Sequence, residues 1–401
     1  TAALCAISAV LFSQGAAAGS FSGFAGIKGD FSLADESSSA ADPDLKLQTF
    51  FAGQFNFTDN LIARAEFSLS TGDLIENSIF SKTDAQFQID ELSFIYRKQF
   101  TGATNYLSLF MGTYEPIGSD IFLQRQFGID PVSSKITESW LGLAGSVVYP
   151  LFGMGISDVI HFTDQPAAAG IYAYFNHEDS TSYVPNIDVR YACVYPYFAL
   201  DAAGGIGAPI KDTYNDEKVI ALVDTLYAHG GINMLAGNNY TPFSFFMQGG
   251  IYGLPLQRGM TTFSADTDNI YLLAEPRFRF TSFQMRWTLF SLPSDTVENL
   301  LFIRDTFGLN ILFYSDTLYL GTKLVTFGIN STYSFPGRTF LSLGDMKDLV
   351  TGTFRITFSP YLEMKFFSGD LHTMLQICVT DFTSQSILSA FKLNVGYKTQ
   401  L

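Results

Sequence analysis

Arg277 and Arg279 alternate with Phe278 and Phe280, and Arg286 stands between Met285 and Trp287. Alternation with period two is the signature of a strand that shows different chemistry on its two faces. Guanidiniums therefore share one face and aromatic rings the other. Fixed cations in such a row attract, hold or repel charged solutes; they break no bonds by themselves. Arg64 and Glu66 stand in the same way among Ala63, Ala65 and Phe67, and Arg355 lies between Phe354 and Ile356. Arg190 and Lys323 complete the set of strand-borne charges read as facing an interior. A plainer reading has equal weight for any one of them: each pairs with an acid across a packed interior, because alternation gives direction but not depth.

Catalytic chemistry finds little support. The histidines His161, His177, His229 and His372 are scattered, and none has the i, i+4 spacing of a helical zinc site. Neither a phosphate-cradling GxxxxGKS segment nor a GxSxG elbow occurs. His229 followed by Gly230 and Gly231 has the form of an esterase oxyanion segment, but a polar residue inside a strand explains it better. No enzyme, cofactor or metal is expected, although fold alone does not decide the matter.

The elements that position the charges are strands. From Leu45, one alternate set reads Leu47, Thr49, Phe51, Gly53, Phe55 and Phe57, and the other Lys46, Gln48, Phe50, Ala52, Gln54 and Asn56. After the turn Thr58, Asp59, Asn60 the pattern resumes with Leu61, Ala63, Ala65, Phe67 and Leu69 against Arg64, Glu66, Ser68 and Ser70. Strands of about ten residues cross a bilayer when tilted. An arginine facing lipid near the bilayer centre costs about 2–4 kcal/mol in a barrel, so Arg64 must look inward.

Later segments repeat the pattern. Leu318, Leu320, Thr322 and Leu324 oppose Tyr319, Gly321, Lys323 and Val325, and Ile387, Phe391, Leu393, Val395 and Tyr397 oppose Lys392, Asn394, Gly396 and Lys398. A phase break at Asp90 and Glu91 predicts a β-bulge. Long connections (Ser32 to Asp44, Thr71 to Asp84, Glu115 to Ser139, Pro255 to Asp268) alternate with short ones such as Gly237 to Asn239. Between Pro150 and Ile210 only two candidate strands are visible, which leaves the parity wrong. The expected fold is all-β: a closed antiparallel transmembrane barrel of an even number of strands, about 16–18, with short periplasmic turns and long external loops.

Composition agrees with that class. The 401 residues include 40 Phe and 20 Tyr but only 15% charged residues, against about 25% in a typical soluble domain. No run approaches the ~20 apolar residues of a transmembrane helix. Residues 1–18, apolar from Ala2 to Phe12 and ending Ala16, Ala17, Ala18, read as a signal peptide with a truncated start, which leaves 19–401 as a single barrel domain. Cys193 and Cys378 point to opposite faces, which disfavours a disulfide. The net charge of -15 excludes a nucleic-acid-binding role and is read mainly as solvated loops, Asp35, Glu36, Asp42 and Asp44 among them.

Strand pattern and export signal together resemble the general porin family over nearly the whole mature chain. The ending Tyr397, Lys398, Thr399, Gln400, Leu401 departs from the usual terminal aromatic residue and looks more like a divergent, spirochaete-type member. The resemblance is one of architecture and carries no family residue over by motif. It implies a bacterial outer-membrane location, lipids, small hydrophilic solutes and further copies of the chain as partners, and a third external loop that constricts the channel. Glu115, Asp120, Arg125 and Asp130 are the candidate constriction residues in that loop. The function so implied is passive diffusion of small hydrophilic solutes or ions. Two rivals are a surface adhesin or structural barrel with a filled lumen, and a transporter of hydrophobic compounds similar to fatty-acid channels.

Overall fold

The computed structural model describes residues 19–33, 42–75, 85–138, 140, 148–149, 151–179, 182–214, 217–223, 225–256, 269–298, 300, 302–321, 323–337, 353–383 and 387–401. The expected leader, residues 1–18, lies outside the described residues, as do Asp35, Glu36 and Ser139. The chain runs through β1 (Ser20–Ser32), β2 (Asp44–Thr58), β3 (Leu61–Ser70), β4 (Gln86–Phe100) and β5 (Ala103–Thr113). Next come β6 (Phe152–Phe162), β7 (Ala167–Asp179), β8 (Ser182–Tyr195), β9 (Phe198–Gly207), β10 (Lys211–Tyr214) and β11 (Glu217–Leu222). The second half holds β12 (Leu226–Ala236), β13 (Phe243–Leu256), β14 (Ile270–Arg279), β15 (Phe283–Ser291) and β16 (Phe307–Ser315). It ends with β17 (Leu318–Leu320), β18 (Lys323–Ser334), β19 (Arg355–Phe366), β20 (Gly369–Cys378) and β21 (Phe391–Gln400).

Eighteen of these strands pair antiparallel with their chain neighbours and close into a barrel when β21 meets β1. The backbone amide of Leu401 donates to the Gly23 carbonyl at that seam. Strand β17 only extends the β16–β18 connection, and β10 and β11 form a separate hairpin in a long loop. Long connections gather at one rim. The short β7–β8 connection joins them there; the other short ones, with β1's first residue and β21's last, gather at the opposite rim.

Closure follows from the alternation. Val189 is 60% exposed beside Asp188 at 0%, and Leu109 is 59% exposed beside Ser108 at 1%. Apolar side chains outside and polar ones inside invert a soluble protein, and this arrangement suits an outer wall in lipid. The bulge falls at Asp90: Glu66 pairs with Glu91, and Phe67 with Ile89. Across the next pairing Gly112 takes φ +97, and a Cβ there would stand 2.3 Å from the Asp90 carbonyl oxygen, so the bulge requires glycine.

The expectation of two strands between Pro150 and Ile210 is corrected to four, β6 to β9. Their inward side chains include Val159, Ala168, Tyr172, Tyr174 and Ala192, all buried. Apolar inward residues such as these interrupt the polar half of the period on β6 and β7, whereas β8 and β9 keep Asn186, Asp188, Arg190 and Asp201 inward. Cys193 and Cys378 are free and buried.

Candidate functional site

The connection after β5 folds into the lumen and descends its whole height. It opens beside Glu115 (φ 46) and turns at Asp120 (φ 62) into the helix Ile121–Phe127. Gly128 closes that helix in a left-handed conformation, its amide donating to the Gln124 carbonyl. At its deepest point Asp130 accepts a 2.7 Å hydrogen bond from Tyr240, and the Pro131 carbonyl accepts one of 3.0 Å from Asn239. Both partners lie in the short connection between β12 and β13. The segment then climbs back through Ser134 and Lys135 to Trp140 on the opposite wall.

Apolar content drives this course. Ile117, Phe122, Leu123 and Ile136 are buried against Tyr172, Phe246, Tyr271 and Leu312 of the wall. Each fully buried side chain of this kind contributes about 1.5–3 kcal/mol relative to exposure. The third long loop thus lies inside the barrel, seated on an apolar patch that β5–β16 present.

Three of the eight expected lumen charges, Arg190, Arg277 and Arg286, form ion pairs beneath this loop. Arg190 forks onto Asp201 (Nε–Oδ1 2.7 Å, Nη2–Oδ2 2.6 Å), donates Nη1 to the Glu115 carbonyl and stacks 4.0 Å over the Phe122 ring. Arg125 lies 2.8 Å from Glu91 and 3.5 Å from Glu115. Arg277 and Arg286 share Glu275 at 2.7 and 3.6 Å, and Arg277 also donates to the carbonyls of Val132 (2.8 Å) and Ser133 (3.2 Å). Asp120 accepts from the Ser133 amide at 2.7 Å. Burial raises the Asp120 carboxyl to about 6 from an ordinary 3.8, although Ser133, Arg277 and Asn233 pull the other way. His229 belongs to a packed polar cluster: its Nε2 is 2.8 Å from Asp188, which also accepts from Tyr149 and Tyr174.

Other expected residues stand at the rims. Arg279 reaches Asp316 at 3.5 Å at the short-turn end, and Arg355 reaches Asp305 at 3.1 Å at the long-loop end. Asp130 marks the short-turn mouth rather than mid-lumen. Lys323 is a correction: it is exposed at the start of β18, shares its face with the outward Phe327 and Ile329, and stacks 4.3 Å over Phe366 on the outer rim. The length of β17 and the turn after it, which period two does not fix, sets that face.

Opposite the loop, the wall of β19–β21 and β1–β3 remains partly exposed. Arg64 donates to Gln54 at 2.9 Å there, and Glu66 lies beside Glu91. Lys28 and Asp30, 3.3 Å apart, keep side-chain exposures of 15% and 21%, against 0% for Arg190 and Asp201. Lys392 and Lys398 face the same space. Trp140 bounds it, its ring tilted 36° to that of His372 at 5.4 Å and close over Gly396, where a Cβ would meet its ring at 2.3 Å. Lys135 and Glu363, 3.7 Å apart, line the same edge. A second infolded connection, between β15 and β16, adds Phe302 against Tyr361 and Arg304 against Gln376 (2.6 Å). Lys28 and Asp30 alternate with Ile27 and Phe31, a signal legible in the sequence; Trp140 and the second infold have none.

No family profile matches the sequence, and no curated protein matches it. Similar solved structures include OccAB3 of Acinetobacter baumannii, at 10% identity and a TM-score of 0.50, covering 95% of this chain and 99% of that one. OmpF of Salmonella typhi, in complex with daunomycin, is 11% identical with a TM-score of 0.42 over 96% of this chain and 97% of that one. A mutant of the Rh. blastica porin is 8% identical with a TM-score of 0.38 over 96% and 100%. At such identities likeness speaks to fold alone, and the fold is a closed eighteen-stranded barrel of the porin type.

Proposed function

We propose that the protein is an outer-membrane channel through which small hydrophilic solutes or ions diffuse passively. The short-turn rim faces the periplasm and the long loops face outward. The observation that carries this reading is the contrast between the two walls: charges under the infolded loop are buried in pairs, whereas those on β19–β21, β1 and β2 keep contact with water. A polar strip beside a constricting loop is what a diffusion path needs. Purified protein in planar bilayers is expected to give stepwise, ohmic conductance, and liposomes containing it are expected to swell in small neutral sugars. Folded, inserted protein that conducts nothing overturns the proposal.

One observation favours a second reading. Ile117, Phe122, Leu123 and Ile136 form an apolar core inside the barrel, as a structural barrel with a filled lumen and functional surface loops would require. Silent bilayers, together with attachment that is lost on deletion of a long loop, would select it.

A further inference from the structure

We propose that the passage selects for small anions; the inference rests on the channel reading above and names the solute class for the same lumen. It follows from the register of four adjacent strands. Lys392 of β21 stands opposite Ser32 of β1, and two residues further along the strands Lys46 of β2 stands opposite Asp30. The next step holds Lys28, opposite Gln48 and Gly396, and the one after it Lys398, opposite Gly26. Two steps beyond, Arg64 of β3 stands opposite Gln54. Inward side chains two residues apart on a strand are about 7 Å apart. Five cations therefore descend from the long-loop rim towards the short-turn rim, four of them on the wall that the loop leaves uncovered and Arg64 at its edge, near Arg125, Glu91 and Glu115 of the loop side.

Carboxylates offset them only in part. Asp30 pairs with Lys28, and Asp44 with Lys46 at 2.7 Å. Glu66, opposite Ala52, stands on the step between Lys398 and Arg64 and adds one carboxylate to the stair, buried beside Glu91. Among the described residues, Arg64, Lys392 and Lys398 have no carboxylate within ion-pair distance; Lys398 lies over the rings of Phe24 and Trp140 instead. The acids of the infolded loop face the far wall, Glu115 towards Arg125 and Tyr172, and Asp120 towards Ser133 and Asn233. The edge of the passage adds Lys135, which Glu363 offsets. Thus a chain with a net charge of -15 presents a positive strip to the solute. In a narrow, low-dielectric passage such a strip concentrates anions and excludes cations.

The test is the reversal potential of the full-length protein in planar bilayers across a tenfold KCl gradient. Chloride is expected to permeate over potassium by about threefold or more at low salt. Because exposed charges are screened, the ratio should fall towards one as salt rises to about 1 M, where the Debye length is about 3 Å. Lys28→Gln combined with Lys392→Gln should bring the low-salt ratio towards one while conductance persists. A conducting pore with a ratio of one or below overturns anion selection and leaves the channel standing. An unchanged ratio in the double variant overturns the assignment to this stair. Absence of conductance overturns the channel reading itself.

Discussion

The guanidinium of Arg190 lies 4.0 Å above the ring of Phe122 while its edge forks onto Asp201, so one wall arginine clamps the infolded loop from two directions. Phe122→Ala removes the ring from a fully buried site, and such truncations cost about 3–5 kcal/mol. Urea unfolding in detergent is expected to show that loss, and single-channel conductance should rise or become noisy as the loop loosens. Unchanged stability and conductance would mean that the loop is held elsewhere.

Glu275 serves two arginines at once, Arg277 and Arg286, which are cross-strand neighbours. Glu275→Gln leaves two buried cations facing each other, and breaking a buried pair in this way costs about 3–5 kcal/mol. Adding Arg286→Gln should restore part of the loss. Thermal unfolding of the single and double variants measures the coupling, and strict additivity would count against it.

Asp120 predicts a pH dependence. Its carboxyl titrates near 6 in the seated loop against an ordinary 3.8, so the seated state holds the proton more tightly than the released one. Seating is then fully favoured below about pH 4 and weakens as pH rises through 6. Protease cleavage within residues 120–135 should accelerate between pH 4 and pH 8, and Asp120→Asn should flatten the profile. Cleavage that slows over this range would contradict the assignment.

Gly396 lets the Trp140 ring lie against the wall, and a Cβ would meet that ring at 2.3 Å. Only two tryptophans are present, so a Trp287→Phe background isolates Trp140. Gly396→Ala in that background should shift its emission to the red and alter conductance. An unshifted spectrum would show that the ring is not displaced.

Lys323 stands on the outer rim, stacked on Phe366, and Arg64 in the lumen, bonded to Gln54. Lys323→Gln is expected to leave ion selectivity unchanged and Arg64→Gln to lower the chloride preference. Reversal potentials of the two variants decide between these positions.

How much of this was legible depended on what each inward face touches. The β2–β3 hairpin could be read residue by residue because Gln54 and Arg64 face water and Phe55 and Phe67 face outward. The Asp90 bulge could be read for the same reason. Strands β6 and β7 could not, because Val159, Tyr172 and Tyr174 turn inward onto the loop and period two weakens where a lumen wall is as oily as its exterior. The inward course of Glu115–Glu138 was suggested by its mixture of apolar and charged residues. Its choice of wall was not, because the clamp joins Arg190 to Glu115 across 75 positions. Lys392 and Lys398 lie on the polar side of a legible strand, but their importance depends on which wall stays uncovered, and that is a property of the docked loop.

The seam at which Leu401 reaches back to Gly23 makes assembly conditional on the final segment. Until Phe391–Gln400 is in place the sheet is a ribbon with two bare margins, whose amides and carbonyls would find no partners in hydrocarbon. Closure therefore has to wait for β21, and a chain cut before residue 391 is expected to give an open, sticky sheet instead of a smaller barrel.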